Sequence, residues 1–170
     1  MNGLNDQSIL DVRQVISGKD GQLFVSTRNA VNVFVAECDT FHSQLVPANQ
    51  DYQPVGSALI FAVNTGYSLT LTMSEIVVRD DLIMNELIDD IRRGYFPGYN
   101  FVGQLRRRDG QRQRMVYNWC VPDGNIDLQN LTPGELVRRD WSFRCNASPE
   151  MIARFTGIQG LPSDIYGGWQ

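Results

Sequence analysis

One amphipathic helix set among long alternating strands constrains this chain more than any other feature. The spacing predicts a helix over residues 80–93: Asp80 and Asp81 offer N-terminal caps, Arg92 and Arg93 occupy the last turn, and Gly94 permits a left-handed exit. Ile83, Met84, Leu87, Ile88 and Ile91 fall on one face, with Asn85, Glu86, Asp89 and Asp90 on the other. A helix with a single apolar face covers something apolar. The remaining pattern is strand-like, so that surface is a sheet.

The strand signals run along most of the chain. Gly21 to Val25 reads as a short strand after the turn at Ser17-Gly18-Lys19-Asp20. Val31 to Val46 reads as one long strand with a bend near Asp39 or His42. Pro47 to Gly56 has turn formers at both ends and is read as a ten-residue loop. Ala58–Asn64 and Tyr67–Arg79 read as two strands joined at Asn64-Thr65-Gly66, and in the second Leu69, Leu71 and Met73 alternate with Ser68, Thr70 and Thr72. Asn100–Arg107 and Arg112–Val121 flank Asp109-Gly110, a strong hairpin signal. Ile126–Leu131 and Glu135–Cys145 complete the set, separated by Thr132-Pro133-Gly134; Trp141, Phe143 and Cys145 share one face. The expectation is a mainly β protein, an antiparallel β-sandwich or barrel of about seven or eight strands with one packed α-helix and extended terminal arms. The domain spans residues 15–147, with an N-terminal arm at 1–14 and a C-terminal extension at 148–170 whose glycines and prolines argue against a regular element.

Composition narrows the classes of function. A chain of 170 residues forms one domain with a real core and needs no staple. The apolar runs are far shorter than the roughly 20 residues that span a bilayer, and the polar N-terminus lacks the pattern of a secretory signal, so membrane insertion is not expected and a cytoplasmic site of synthesis is. Cys38, Cys120 and Cys145 are odd in number and widely spaced, and are read as reduced, mostly core thiols. A net charge of −4 argues against a general nucleic-acid binder.

Candidate chemistry is sparse. The single histidine, His42, finds no Ser/His/Asp or Cys/His arrangement by local spacing and is read as structural. Gly18-Lys19 lacks the GxxxxGK[ST] frame of a phosphate loop. The Asp80/Asp81 and Asp89/Asp90 pairs diverge on a helix and serve solvation or ion pairing. The expectation is therefore no catalytic residue, no cofactor and no metal. Arg106, Arg107, Arg108, Arg112 and Arg114 crowd one hairpin in a chain with a single lysine. They fit phosphates, a solvated surface, or carboxylates of a neighbouring subunit. The polar segment Asn49, Gln50, Asp51, Tyr52, Gln53, Pro54 and Val55 is a candidate contact, because loops of this length in compact domains usually carry function.

The order of these features resembles the XkdM-like tail tube proteins of bacteriophages and phage-derived particles. The resemblance is carried by Ser17-Gly18-Lys19-Asp20-Gly21-Gln22-Leu23-Phe24, by the strand into Glu37-Cys38-Asp39-Thr40-Phe41, by Pro54-Val55-Gly56, by the helix ending in Arg93-Gly94 and by the hairpin after it. It covers about Val15 to Ala147. It implies a non-enzymatic subunit whose hexameric rings stack into a hollow tube, with DNA passing through the lumen without specific binding. The implied partners are further copies of the chain and the sheath, baseplate and terminator proteins; the implied place is a virion tail assembled in a host bacterial cytoplasm, with a contractile tail favoured. On that reading residues 49–55 form the inter-ring contact and the arginine hairpin touches a neighbouring subunit or the sheath. The same fold would serve a baseplate or tube-initiator protein or a secretion-system tube, while a nucleic-acid-binding β-barrel using the arginines is the alternative of a different class. The extension beyond Ala147 departs from the family pattern, so the resemblance assigns no role to Phe155 to Gln170.

Overall fold

The computed structural model describes residues 16–35, 38–77, 83–107 and 110–154. Eight strands and one helix follow one another: β1 Gly21–Ser26, β2 Val33–Phe34, β3 Cys38–Tyr52, β4 Phe61–Ile76, α1 Met84–Arg92, β5 Tyr99–Arg106, β6 Arg112–Pro122, β7 Arg138–Cys145 and β8 Glu150–Ala153. The strands form one antiparallel sheet in the order β2-β1-β5-β6-β7-β4-β3, with β8 added to β6. The mainly antiparallel β-sandwich or barrel with one helix is therefore the fold observed.

The core is aromatic. Phe143 of β7 lies 4.9 Å from Phe101 of β5 between ring centroids and 5.8 Å from both Tyr99 and Trp141, distances at which aromatic pairs attract beyond simple area burial. Leu69, Leu71 and Met73 of β4 and Leu23 and Val25 of β1 close around them. The helix lays Met84 and Leu87 on this cluster, and the buried Tyr99 hydroxyl donates to the Ile83 carbonyl at 3.0 Å. Gly94, at φ 91°, makes the left-handed exit that its sequence position requires.

Several elements differ from the sequence expectation. The helix runs over Met84–Arg92, and the Asp80 and Asp81 caps lie outside the described residues; Ile83 stands at the N-terminal boundary with no side-chain cap. Glu86 and Asp90 are buried instead of facing solvent, whereas Ile91 is 44% exposed. The physical reason is the 27–32 turn, which covers that side of the helix. Asn29 donates its backbone N–H to Glu86 Oε1 at 3.0 Å, and Arg28 pairs with Asp90 at 3.0 Å. Ile126–Leu131 is irregular and joins no strand; its Leu128 carbonyl accepts from the Arg139 guanidinium at 3.3 Å, which ties the segment to β7 through a side chain. The Val31–Val46 reading divides into β2 and β3, with an irregular register between Cys38 and Thr40 where the bend was expected. Beyond residue 147 the chain is regular for four residues as β8, extending the line of β7 along β6; residues 1–15 and 155–170 lie outside the description.

Candidate assembly surface

The segment expected as a loop is the outer half of a long hairpin. Pro47 was read as the turn former that opens the loop, but β3 is an edge strand, where a missing N–H need not interrupt the ladder, and Pro47 pairs with Tyr67. Asn49, Gln50, Asp51 and Tyr52 pair in turn with Asn64, Val63, Ala62 and Phe61. Only Gln53, Pro54 and Val55 belong to the connection, which is closed by Ser57 N–H to the Pro54 carbonyl at 3.2 Å and by the Gln53 side-chain amide to the Ser57 carbonyl at 2.9 Å. Gly56, at φ 86°, suits that turn. The two strands expected on either side of Thr65 are a single strand, β4, with a register irregularity opposite Ala48 and Asn49. Thr65 Oγ1 donates to the Ala48 carbonyl and the Asn64 amide to Asn49 Oδ1, both at 3.1 Å.

Support from the rest of the sheet stops part-way along this hairpin. Strand β7 pairs with β4 from Ile76 to Leu69, where Leu69 faces Cys145. Outward from there, among the described residues, β3 and β4 pair only with each other, as a ribbon of about eight residues per strand, roughly 27 Å long at 3.4 Å per residue. Tyr67 reaches back to Ser148, hydroxyl to hydroxyl at 2.6 Å. Leu45, Val46, Tyr52, Leu59, Ile60, Phe61 and Val63 are all exposed on this arm, and Met151 and Ile152 of β8 are exposed as well. From Leu45 to Tyr67 the sequence contains a single charged residue, Asp51. An isolated two-stranded ribbon is marginal in water, and natural edge strands are normally protected by charge, bulges or a covering element.

The arginine hairpin sits at the turn between β5 and β6. Arg106 and Arg112 are cross-strand partners and both exposed, so two like charges face each other, an arrangement that favours an anionic neighbour. The turn is fixed by Arg107 N–H to the Gln111 carbonyl at 2.8 Å and Gly110 N–H to the Arg107 carbonyl at 2.9 Å, with Gly110 at φ 90°. Arg114 is half-buried, its Nε without a hydrogen-bond partner, and Arg108 lies outside the described residues. The turn and the arm are built from different strand pairs, so the structure does not merge the two sequence candidates into one site.

Between β1–β2 and β3, the two margins of the sheet, an open groove of about 800 Å³ is lined by Leu23, Phe34, Phe41, Leu105, Met115 and Tyr117. Tyr117 and Ser43 exchange a hydroxyl hydrogen bond of 2.8 Å inside it, and burial raises the Tyr117 pKa. His42 lies on the groove's β3 wall and is exposed. Among the described residues no group of three or more His, Cys, Asp or Glu side chains could hold a metal, and no helix is long and apolar enough to cross a membrane.

Two features escaped the sequence reading. Trp119 is exposed at φ 55°, beside the register irregularity of β5 and β6, and its N–H donates to Asn100 Oδ1 at 2.9 Å. Arg139 is buried on β7 with its guanidinium 3.6 Å from Glu75, whose carboxylate also accepts the Trp141 indole N–H at 2.8 Å. The first had no local signal. The second was hinted at by Arg139 lying on the same alternating face of β7 as Trp141, Phe143 and Cys145.

No family model matches the chain, and no curated protein matches it in sequence. Solved structures do match in fold. A chain from the baseplate of the anti-feeding prophage, symmetrised six-fold, is 12% identical with a TM-score of 0.60, over 82% of this chain and 95% of that one. A chain from the sheath–tube complex of the PVC extracellular contractile injection system, in its extended state, is 11% identical with a TM-score of 0.61, over 91% and 100%. A chain from the virion of a native gene transfer agent is 12% identical with a TM-score of 0.57, over 82% and 100%. The chain has the fold of components of these tail-like particles.

Proposed function

We propose that this chain is a tail tube subunit, related to the XkdM-like proteins, whose rings stack into a conduit for DNA in a virion tail. The observation that carries the reading is the β3–β4 arm: a nearly uncharged ribbon with apolar side chains exposed and, among the described residues, no strand paired to either outer side. Such a ribbon is stable and soluble when other copies cover it, and closing sheets across subunits removes its edges. Six-fold particles among the structural neighbours support hexameric rings with cyclic symmetry. In this reading residues 15–147 form the ring-building domain, the ribbon lies against neighbouring subunits, and its tip, Gln53 to Leu59, reaches the adjacent ring.

The arginine turn then faces away from the lumen. A conduit must release its cargo, and each neutralised phosphate steepens the salt dependence of DNA binding by about 0.9 log units per log of salt. Arg106 and Arg112 instead meet carboxylates of a neighbouring subunit or the sheath. The protein acts without catalysis, cofactor or metal, and its partners are its own copies, sheath, baseplate and terminator proteins. A baseplate or tube-initiator role uses the same surfaces in a shorter stack.

Negative-stain microscopy and sedimentation of the purified protein test the reading. Rings of six copies, or tubes built from them, are expected, and the double variant Phe61→Asp/Val63→Asp should remain folded but monomeric. A wild-type protein that stays monomeric at high concentration and binds DNA with a steep salt dependence would favour the nucleic-acid-binding alternative instead.

A further inference from the structure

The sequence separates Cys120 from Cys145 widely enough to hide what the sheet does with them. Cys120 on β6 and Cys145 on β7 are direct cross-strand partners, and both are free and buried. The ladder around them identifies the kind of pair. Asn146 N–H donates to the Trp119 carbonyl at 3.0 Å and Asp123 N–H to the Ser142 carbonyl at 2.9 Å, so the hydrogen bonds flank the Cys120–Cys145 position instead of joining it. That makes it a non-hydrogen-bonded antiparallel pair, whose Cα atoms lie about 4.5 Å apart with side chains on the same face. Disulfides accept Cα separations of about 4.4–6.8 Å. The backbone therefore already holds the two thiols in a geometry that a bond can close.

We propose that Cys120 and Cys145 are a redox-responsive dithiol, open under reducing conditions and closed by low-molecular-weight disulfides such as oxidised glutathione. The two sulfurs are unequal. The Cys120 thiol donates to the Tyr117 carbonyl at 3.7 Å; its interaction with the neighbouring Cys145 thiol, together with burial, raises its pKa, while the same interaction lowers that of Cys145. Cys120 is fully buried whereas Cys145 is 8% exposed, so Cys145 is the sulfur that a small disulfide reaches first and the attacking one. Its thiolate attacks the small disulfide, forming a mixed disulfide and expelling one small thiolate. Cys120, on losing its proton, then attacks the Cys145 sulfur and expels the second. The protein loses two protons and two electrons, and the small disulfide takes them up to become two thiols.

The position gives the bond a mechanical meaning. At Cys120 strand β6 exchanges neighbours, pairing with β7 over Cys120–Pro122 and with β8 over Arg114–Val116. The register joins β6 to β7 over three residue pairs, with the Asn146–Trp119 and Asp123–Ser142 hydrogen bonds at its two ends. A covalent link there ties the short seam shut and constrains the unfolded chain across Val121–Arg144, which stabilises the fold. Cys38 sits on β3 opposite Glu75 and has no thiol facing it.

The full-length protein tests this directly. It is refolded from urea through mixtures of oxidised and reduced glutathione, which gives the buried thiols access, while folded protein is exposed in parallel. Intact mass and peptide mapping then locate the bond. The expected product lacks two hydrogens, carries one link joining Cys120 to Cys145, and unfolds at a higher urea midpoint that falls back on reduction. Cys38→Ser keeps this behaviour, whereas Cys120→Ser and Cys145→Ser lose it. Bonds to Cys38, glutathione adducts without the internal link, or a linked protein with a lowered midpoint would each overturn the proposal, as would refolded protein in which no link forms. None of these readings depends on the serine variants folding, because the wild-type map alone decides.

Discussion

The two halves of the β3–β4 hairpin share one ladder and opposite fates. In the inner half Leu69, Leu71 and Met73 are 4%, 1% and 3% exposed, covered by β7, the helix and the aromatic cluster. In the outer half Tyr52 and Leu59 are 58% and 62% exposed. Both halves carry alternating or continuous apolar residues with little charge. Alternation thus specifies a strand without specifying what covers it, and the outer half is an apolar surface that the described residues of its own subunit leave uncovered.

The comparison is tested most severely by truncating one side chain in each half. Leu71→Ala should destabilise the isolated subunit by about 2–5 kcal/mol, the cost of a cavity in a packed core. Val63→Ala should stay within about 0.5 kcal/mol, because the side chain is already half in water. Urea unfolding of dilute protein measures both. If assembly is the readout, the ranking changes: Val63→Asp abolishes rings while leaving the unfolding midpoint nearly unmoved. Equal destabilisation by the two truncations would show that the arm packs against its own subunit.

The root of the inner half holds the next largest effect. Glu75→Ala removes the acceptor of the Trp141 indole and the carboxylate beside the buried Arg139, which should cost about 2 kcal/mol. The loss should be the same in rings and in monomers, since this pair lies inside the subunit. A loss that appeared only on assembly would move Glu75 from the core to the interface.

How much of this was legible follows from what each residue needed as a neighbour. The β5–β6 turn was readable because Gly110 adopts a positive φ and Asp109-Gly110 is a local signal. Trp141, Phe143 and Cys145 were readable because a strand alternates whatever its partners. Glu86 and Asp90 were misread because their cover, Arg28 and Asn29, comes from a turn more than 50 residues away in sequence. Pro47 was misread because its tolerance depends on β3 being an edge, a property of the whole sheet. Ile126–Leu131 has strand composition but pairs with no strand, its Leu128 carbonyl being held by a side chain of β7. The segment 49–55 was given a loop's shape because its turn formers are local signals, whereas the pairing of residues 49–52 with 61–64 is set by a partner strand. The Cys120–Cys145 pairing lay beyond any local signal.

The smallest expected effect offers the finest distinction between the two halves. Cys38 lies at the inner root of the hairpin, opposite Glu75, where burial, helped by the Glu75 and Asp39 charges, pushes its thiol up to about 11. Only the thiolate alkylates, so at neutral pH Cys38 should react more than about 100-fold slower than an ordinary thiol near pKa 8.5. The sign for stability follows: the unfolded thiol ionises first, so the contribution from this group is complete below about pH 8.5 and is lost as pH rises toward 11. A thiol placed by Val46→Cys on the exposed outer half should show the ordinary value and alkylate rapidly in dilute subunits. Site-resolved mass spectrometry across pH reads both cysteines in one sample. On assembly Cys38 should keep its rate, while the residue at position 46 becomes protected. If position 46 stayed as reactive in rings or tubes as in subunits, the outer ribbon would not be the surface that neighbouring copies cover.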